Sequence, residues 1–220
     1  MTDASRPTLV IGTKNYSSWS LRPWLLLREH GIAFDEVRLP LDTPEFYANI
    51  GRWSPTGRVP VLRDGELAIW DSLAICEYVN ERWLAGAGWP ADLAHRAHAR
   101  AVSAEMHSGF AALRGECPLD VVRRTRDPIG AEAKRDIERI GVLWRDCRAR
   151  HAAGGKFLFG AFSIADAMYA PVALRIESYG IEVGPIERDY VDTLLALAGM
   201  REWAADAQAE QRLAKREPLR

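Results

Sequence analysis

The 220-residue sequence predicts an α/β domain followed by an all-helical one. Three observations carry that reading. The first third alternates short β-branched runs with stretches of helical spacing, in the order strand, helix, strand, helix, strand, strand, helix. Leu84-Ala85-Gly86-Ala87-Gly88-Trp89-Pro90 then reads as a linker by its small residues and terminal proline. Beyond it, apolar residues recur only three and four positions apart. The expected division is residues 1–83, a linker over 84–93, and a helical domain over 94–220.

In the first unit, Thr8-Leu9-Val10-Ile11 is a continuous apolar run ending at Gly12, which suits a strand buried on both faces. The polar loop Thr13 to Ser20 feeds a helix through Leu21, Trp24, Leu25 and Arg28, with Pro23 tolerable only near its first turn and Gly31 as its stop. Phe34, Val37 and Leu39 mark a second strand, ended by Pro40. A strand, helix and strand in succession imply a right-handed crossover with parallel strands. Thr43 to Trp53 is weakly patterned and reads as a short or irregular helix.

The stretch Gly57 to Val79 is the most informative. Two β-branched runs flank Asp64-Gly65, a hairpin signal because glycine accepts the positive φ such turns need. Pro60 cannot donate to a strand ladder, so it belongs at a strand start, an edge or a bulge, or follows a cis peptide bond. In each case the Val59 backbone is left open to a partner outside the sheet. Asp71-Ser72 closes the second strand where a helix through Leu73, Ile75, Cys76 and Val79 begins, and either residue can cap it. The Ser72 hydroxyl with the first helical N–H groups would seat a carboxylate or phosphate, and Asp71 adds an acceptor for an ammonium group. A zwitterionic amino-acid end would satisfy both; an ordinary capped hairpin is the alternative.

This element order is that of the thioredoxin fold. In that fold a Cys-x-x-Cys pair opens the first helix and a cis-proline precedes the third strand. Ser17-Ser18-Trp19-Ser20 has serine at both cysteine positions, which excludes dithiol redox chemistry there.

In the helical part, Val102, Met106, Phe110, Leu113 and Cys117 form one stripe ended by Pro118. Ala133, Ile137, Ile140, Trp144 and Cys147 form another, ended by Gly154-Gly155. Both read as core, and the two long antiparallel helices as the spine of the domain. Ser163 with Asp166 is a variant capping box opening a third helix, with local value only in its plainest form, and Pro171 falls inside that helix. Helices over about 186–197 and 200–213 follow, and Lys215 to Arg220 reads as a loose tail.

Composition narrows the function classes. Nearly half the residues are hydrophobic, enough for a core without disulfides or metal, and the formal net charge is −1 with no long run of like charges. Neither nucleic acid nor a membrane surface is an expected partner. Cys76, Cys117 and Cys147 are odd in number and set in apolar contexts, as buried thiols of a reducing compartment are. With no signal-peptide core and no membrane-spanning run, a cytoplasmic protein is expected. His95 and His98 lack companions for a metal site and read as exposed polar residues.

Taken together, Ser17-Ser18-Trp19-Ser20-Leu21-Arg22, Ser54-Pro55-x-Gly57-Arg58-Val59-Pro60-Val61-Leu62, Asp71-Ser72 and Phe162-Ser163-Ile164-Ala165-Asp166 resemble the cytosolic glutathione transferase superfamily. The resemblance spans both domains. It implies a thioredoxin-like domain that binds glutathione, a helical domain that shapes the pocket for a small electrophilic acceptor, and a homodimer. Carried over, Val59 pairs its backbone with the cysteinyl part of glutathione, and Asp71 and Ser72 hold the γ-glutamyl end. Arg58 meets the glycyl carboxylate. Relatives often have Glu where Asp71 stands, which shortens the reach there. Serine-type classes place the catalytic hydroxyl five residues before the first-helix arginine, and counting back from Arg22 reaches Ser17; Ser18, Ser20 and Tyr16 are the alternatives. The tripeptide Ser17-Ser18-Trp19 looks like the zeta-class Ser-Ser-Cys with Trp19 for cysteine. The implied activity is glutathione S-transfer, with a maleylacetoacetate isomerase-like reaction or a non-catalytic stress or interaction role as alternatives. His107 falls on the helix expected to wall the acceptor pocket, as a substrate contact or as a partly buried, hydrogen-bonded histidine.

Overall fold

The computed structural model describes residues 6–151 and 155–216. Its N-terminal part is a four-stranded sheet of β1 (Thr8–Gly12), β2 (Asp35–Leu39), β3 (Val61–Asp64) and β4 (Leu67–Trp70), in the order β2-β1-β3-β4. β1 runs parallel to β2 and antiparallel to β3, which pairs antiparallel with β4. With them go α1 (Ser18–Glu29), α2 (Pro44–Asn49), a 3-10 turn (Ile50–Arg52) and α3 (Ser72–Trp83). The unbroken apolar run of β1 is explained by its two buried faces. Val10 packs with Leu39, Phe46, Ile50 and Val61 on the α2 side, while Leu9 and Ile11 join the larger core with α1 and α3. The hairpin turns at Gly65 and Glu66, with Gly65 at φ +57 and Asp64 paired to Leu67.

The helical part comprises α4 (Leu93–Ser108), α5 (Ala111–Glu116), α6 (Ala131–His151), α7 (Ile164–Tyr179), α8 (Pro185–Leu195) and α9 (Ala198–Arg216). The first stripe is not one helix. Val102, Met106, Phe110, Leu113 and Cys117 are all buried, but the chain breaks between α4 and α5. Phe110 takes φ 57, and a Cβ on Gly109 would lie 2.7 Å from the Glu105 carbonyl oxygen. Side-chain periodicity alone could not show the break, because the resumed helix returns the same face to the core. The Gly154 half of the expected stop for α6 lies outside the described residues. Lys215 and Arg216, expected in a loose tail, are the last residues of α9, and 217–220 lie outside the description.

α4 and α6 do lie antiparallel, tied by the Arg139–Glu105 pair at 2.7 and 2.9 Å and by His98 Nδ1 to His151 Nε2 at 2.8 Å. His98 is therefore an interhelical contact and not merely an exposed polar residue. The spine, however, is α7. Every residue of it except Glu177 is buried, and it packs on α1, α4 and α8. Its N-terminus is held by the Asp166 carboxylate, which accepts from Ser163 N and Oγ at 2.9 Å each, Leu158 N at 3.1 Å and Tyr190 Oη at 2.8 Å. The capping box thus reaches well beyond local value. Among the described residues, no helix is long and apolar enough to cross a membrane.

Candidate functional site

Where β3, β4 and α3 meet the start of α1, a cleft of about 540 Å³ opens, lined by Trp19, Thr56, Arg58, Val59, Pro60, Trp70, Asp71 and Ser72. Four sequence-predicted residues, Arg58, Val59, Asp71 and Ser72, are thereby brought together. Val59 precedes a cis peptide bond to Pro60 and lies beyond the β1–β3 ladder, whose last pair is Val10 with Val61. Arg58 is exposed at the rim, its backbone N–H on Ser54 Oγ at 3.2 Å.

Of the two possible caps of α3, Asp71 is the one used. Its Oδ1 accepts from Leu73 N at 2.9 Å and Ala74 N at 3.2 Å, with Asp71 at φ 75. A non-glycine residue in that region costs on the order of 1–3 kcal/mol, a strain that the cap bonds offset. Ser72 is buried, and its Oγ accepts from Arg22 Nη1 at 3.3 Å. Because Arg22 occupies the oxygen, the Ser72 hydrogen is left for an acceptor in the cleft.

Ser17 is not among the residues lining the cleft. It is the N-cap of α1: its Oγ accepts from Ser20 N at 3.4 Å and donates to Ser20 Oγ at 2.7 Å, and Ser20 Oγ accepts from Gly12 N at 3.1 Å. Ser18 Oγ meets Arg175 Nη2 at 3.5 Å, while the exposed Tyr16 hydroxyl accepts from Gln211.

Below the cleft lie two buried guanidinium groups. Arg22 stacks on Trp19 at 4.3 Å, and Arg175 donates to the carbonyls of Cys117 and Pro171. Burial, and then the charge of Arg175, pulls Arg22 down to about 9. Burial, and then the charge of Arg114, pulls Arg175 down to about 10. Both stay protonated near neutral pH, so the floor of the cleft is positive. A thiolate or carboxylate placed there is favoured over its protonated form.

Several of these contacts lie outside any local motif. Trp19, Thr56 and Trp70 line the cleft without having been singled out for it. Arg175 had one visible signal, an arginine in an otherwise apolar helix. The loop before α1 is clamped from two sides. Lys14, buried between Trp24 and Trp203 with ring distances of 4.5 and 5.3 Å, pairs with Glu36 at 2.9 Å and Asp206 at 2.6 Å. Glu210 of α9 accepts from Lys14 N and Asn15 N, and Asn15 bonds Asp120 and Val122 on the other side. Lys14→Ala should cost about 3 kcal/mol, since it strands two carboxylates and empties the space between the rings. Urea unfolding reads that loss, and faster amide exchange over 13–16 would place it at the clamp.

Residues 16–82 match the family model described as Glutathione S-transferase, N-terminal domain. That match takes in α1 to β4 and most of α3 and stops before the helical part. A dichloromethane dehalogenase of Methylorubrum extorquens is 38% identical over 63 residues, 28% of this chain and 22% of that enzyme. The chain spans about a quarter of the length of the first curated relatives it matches, which are both such dehalogenases. A probable maleylacetoacetate isomerase of Caenorhabditis elegans is 24% identical over 181 residues, 82% of this chain and 83% of that protein. Among solved structures, a glutathione transferase homolog from Burkholderia with bound glutathione superposes with TM-score 0.67 at 24% identity, covering 93% of this chain and 99% of that one. That likeness gives the fold alone: a thioredoxin-like sheet unit followed by helices.

Proposed function

We propose that this protein binds glutathione in the cleft at the start of α3 and uses its thiolate to attack an electrophilic carbon of a small molecule. The observation that carries the reading is the convergence of Arg58, Val59, Asp71 and Ser72 on one cleft of about 540 Å³ above a positive floor. In this reading the Val59 backbone pairs with the cysteinyl unit, Arg58 takes the glycyl carboxylate, and Ser72 donates to the γ-glutamyl carboxylate. Ser17 turns its hydroxyl from Ser20 to the sulfur. Free thiols titrate near 8.5, and lowering that by about two units, or about 2.7 kcal/mol, leaves the bound thiol mostly ionised at neutral pH. The thiolate sulfur forms a bond to carbon while the leaving group departs with the bonding pair.

The match to a probable maleylacetoacetate isomerase over most of both chains favours one second reading, in which the thiol adds to a double bond and is expelled after rotation. Calorimetric titration with glutathione is the first test. Binding at or below millimolar concentration is expected, and Ser72→Ala should weaken it by about tenfold through loss of one charge-assisted hydrogen bond. No binding at 10 mM, roughly the upper end of working ligand levels, would leave the fold without this activity. Homodimer assembly and a cytoplasmic location belong to the same proposal; sedimentation and cell fractionation test them.

A further inference from the structure

Asp71 makes more contacts than a helix cap needs. Beyond its two bonds to the α3 backbone through Oδ1, its Oδ2 lies 3.0 Å from Nε2 of His107, which reaches it from α4 in the helical part. The His107 ring stands edge-on to Trp19 with centroids 5.3 Å apart. Its Nδ1 is buried and has no hydrogen-bond partner among the described residues, so Nε2 is the ring nitrogen that meets the carboxylate.

The acceptor count shows why this matters. A carboxylate offers about four lone-pair positions. Two, on Oδ1, go to Leu73 and Ala74; His107 Nε2 stands 3.0 Å from Oδ2 and covers one side of it, which leaves its other side open. Asp71 is also the only carboxylate among the residues lining the cleft, where Arg58 stands at the rim. An ammonium group entering these surroundings meets repulsion from Arg58 and Arg22, and Asp71 is its one local attraction. That attraction depends on where Oδ2 points.

We propose that His107 is a positioning residue for recognition of an amino group in this cleft: by holding Oδ2 it directs the open side of that oxygen toward the α-ammonium of the γ-glutamyl unit. The inference rests on the glutathione reading of the cleft. It ties a residue on the acceptor-side helix α4 to affinity for the thiol ligand, through Asp71 and without contact to the reacting sulfur.

The test compares glutathione with glutaryl-cysteinylglycine, which has the same skeleton without the amino group, by calorimetry on the whole protein. Wild type should prefer glutathione by about tenfold, as expected of one charge-assisted contact. In His107→Ala the preference should fall to about twofold or less, with affinity for the amine-free ligand unchanged. In His107→Gln, whose amide N–H can reach Asp71, most of the preference should return. Equal weakening of both ligands in His107→Ala, or a preference equal to that of wild type, would overturn the proposal. Thermal melts identify a variant that fails to fold, and the glutamine variant then carries the test. A wild type that binds neither ligand defeats the glutathione reading itself. A wild type that binds both alike leaves that reading standing and removes this one.

Discussion

Asp166→Ala should destabilise the protein by about 3–5 kcal/mol, the range for removing one side of a buried charged network. The carboxylate is fully buried and answers four donors, so its loss strands the Leu158 and Ser163 N–H groups and the Tyr190 hydroxyl together. Each buried orphan costs about 1–3 kcal/mol, and for a chain of this size the melting temperature should fall by about 10 °C. Tyr190→Phe removes a single one of these bonds and should cost about 1 kcal/mol. Equilibrium denaturation of the two variants sets the order. A stable Asp166→Ala variant that has lost activity would instead place the carboxylate in the chemistry.

For Ser17→Ala the expected result is a change in pH dependence more than in binding. A hydroxyl that donates to the thiolate stabilises the charged form and hardly touches the thiol. Glutathione affinity measured well below the thiol pKa should therefore stay within about twofold of wild type. The pKa of the bound thiol should rise, because the stabilised state is the deprotonated one. Turnover near pH 7 should then fall by about tenfold per unit of rise, and recover as pH increases toward the new pKa. The geometry sharpens the experiment, since Ser17 also caps α1. Loss of that cap should cost about 1 kcal/mol, so Ser17→Gly, which keeps most of the capping value, separates the two roles. Profiles of kcat/KM against pH for Ser17→Ala, Ser18→Ala, Ser20→Ala and Tyr16→Phe decide among the hydroxyls. An unshifted Ser17→Ala profile beside a shifted one for another variant moves the assignment there.

Features read correctly from sequence share one property: their cause is local. The order of strands and helices follows from the run 8–11, the Asp64-Gly65 turn and the three-and-four spacing beyond residue 94. The proline at 60, the cap at 71–72 and the Ser163–Asp166 box are likewise signals spanning a few residues. The misread features are those in which a local pattern is continuous across a break made elsewhere. The stripe through Phe110 keeps its spacing although the helix stops at Gly109, because Leu113 finds a substitute acceptor in Asp136, 23 positions away. His95 and His98 lack companions along the chain because their partner, His151, closes the far end of α6.

The sequence by itself determined the fold class and four of the residues that gather at the cleft, Arg58, Val59, Asp71 and Ser72. Each follows from short-range propensity, capping and turn chemistry, which act within about one helical turn or one hairpin. Only the tertiary structure decided how those residues are held. It set Arg22 behind Ser72, His107 behind Asp71, Arg175 beneath Ser18 and α9 over the loop that carries Tyr16 and Ser17. Such pairings join positions 36 to 196 residues apart. They depend on how buried helices stack and on where an unpaired charge finds relief from low-dielectric surroundings, and no periodicity along the chain records either.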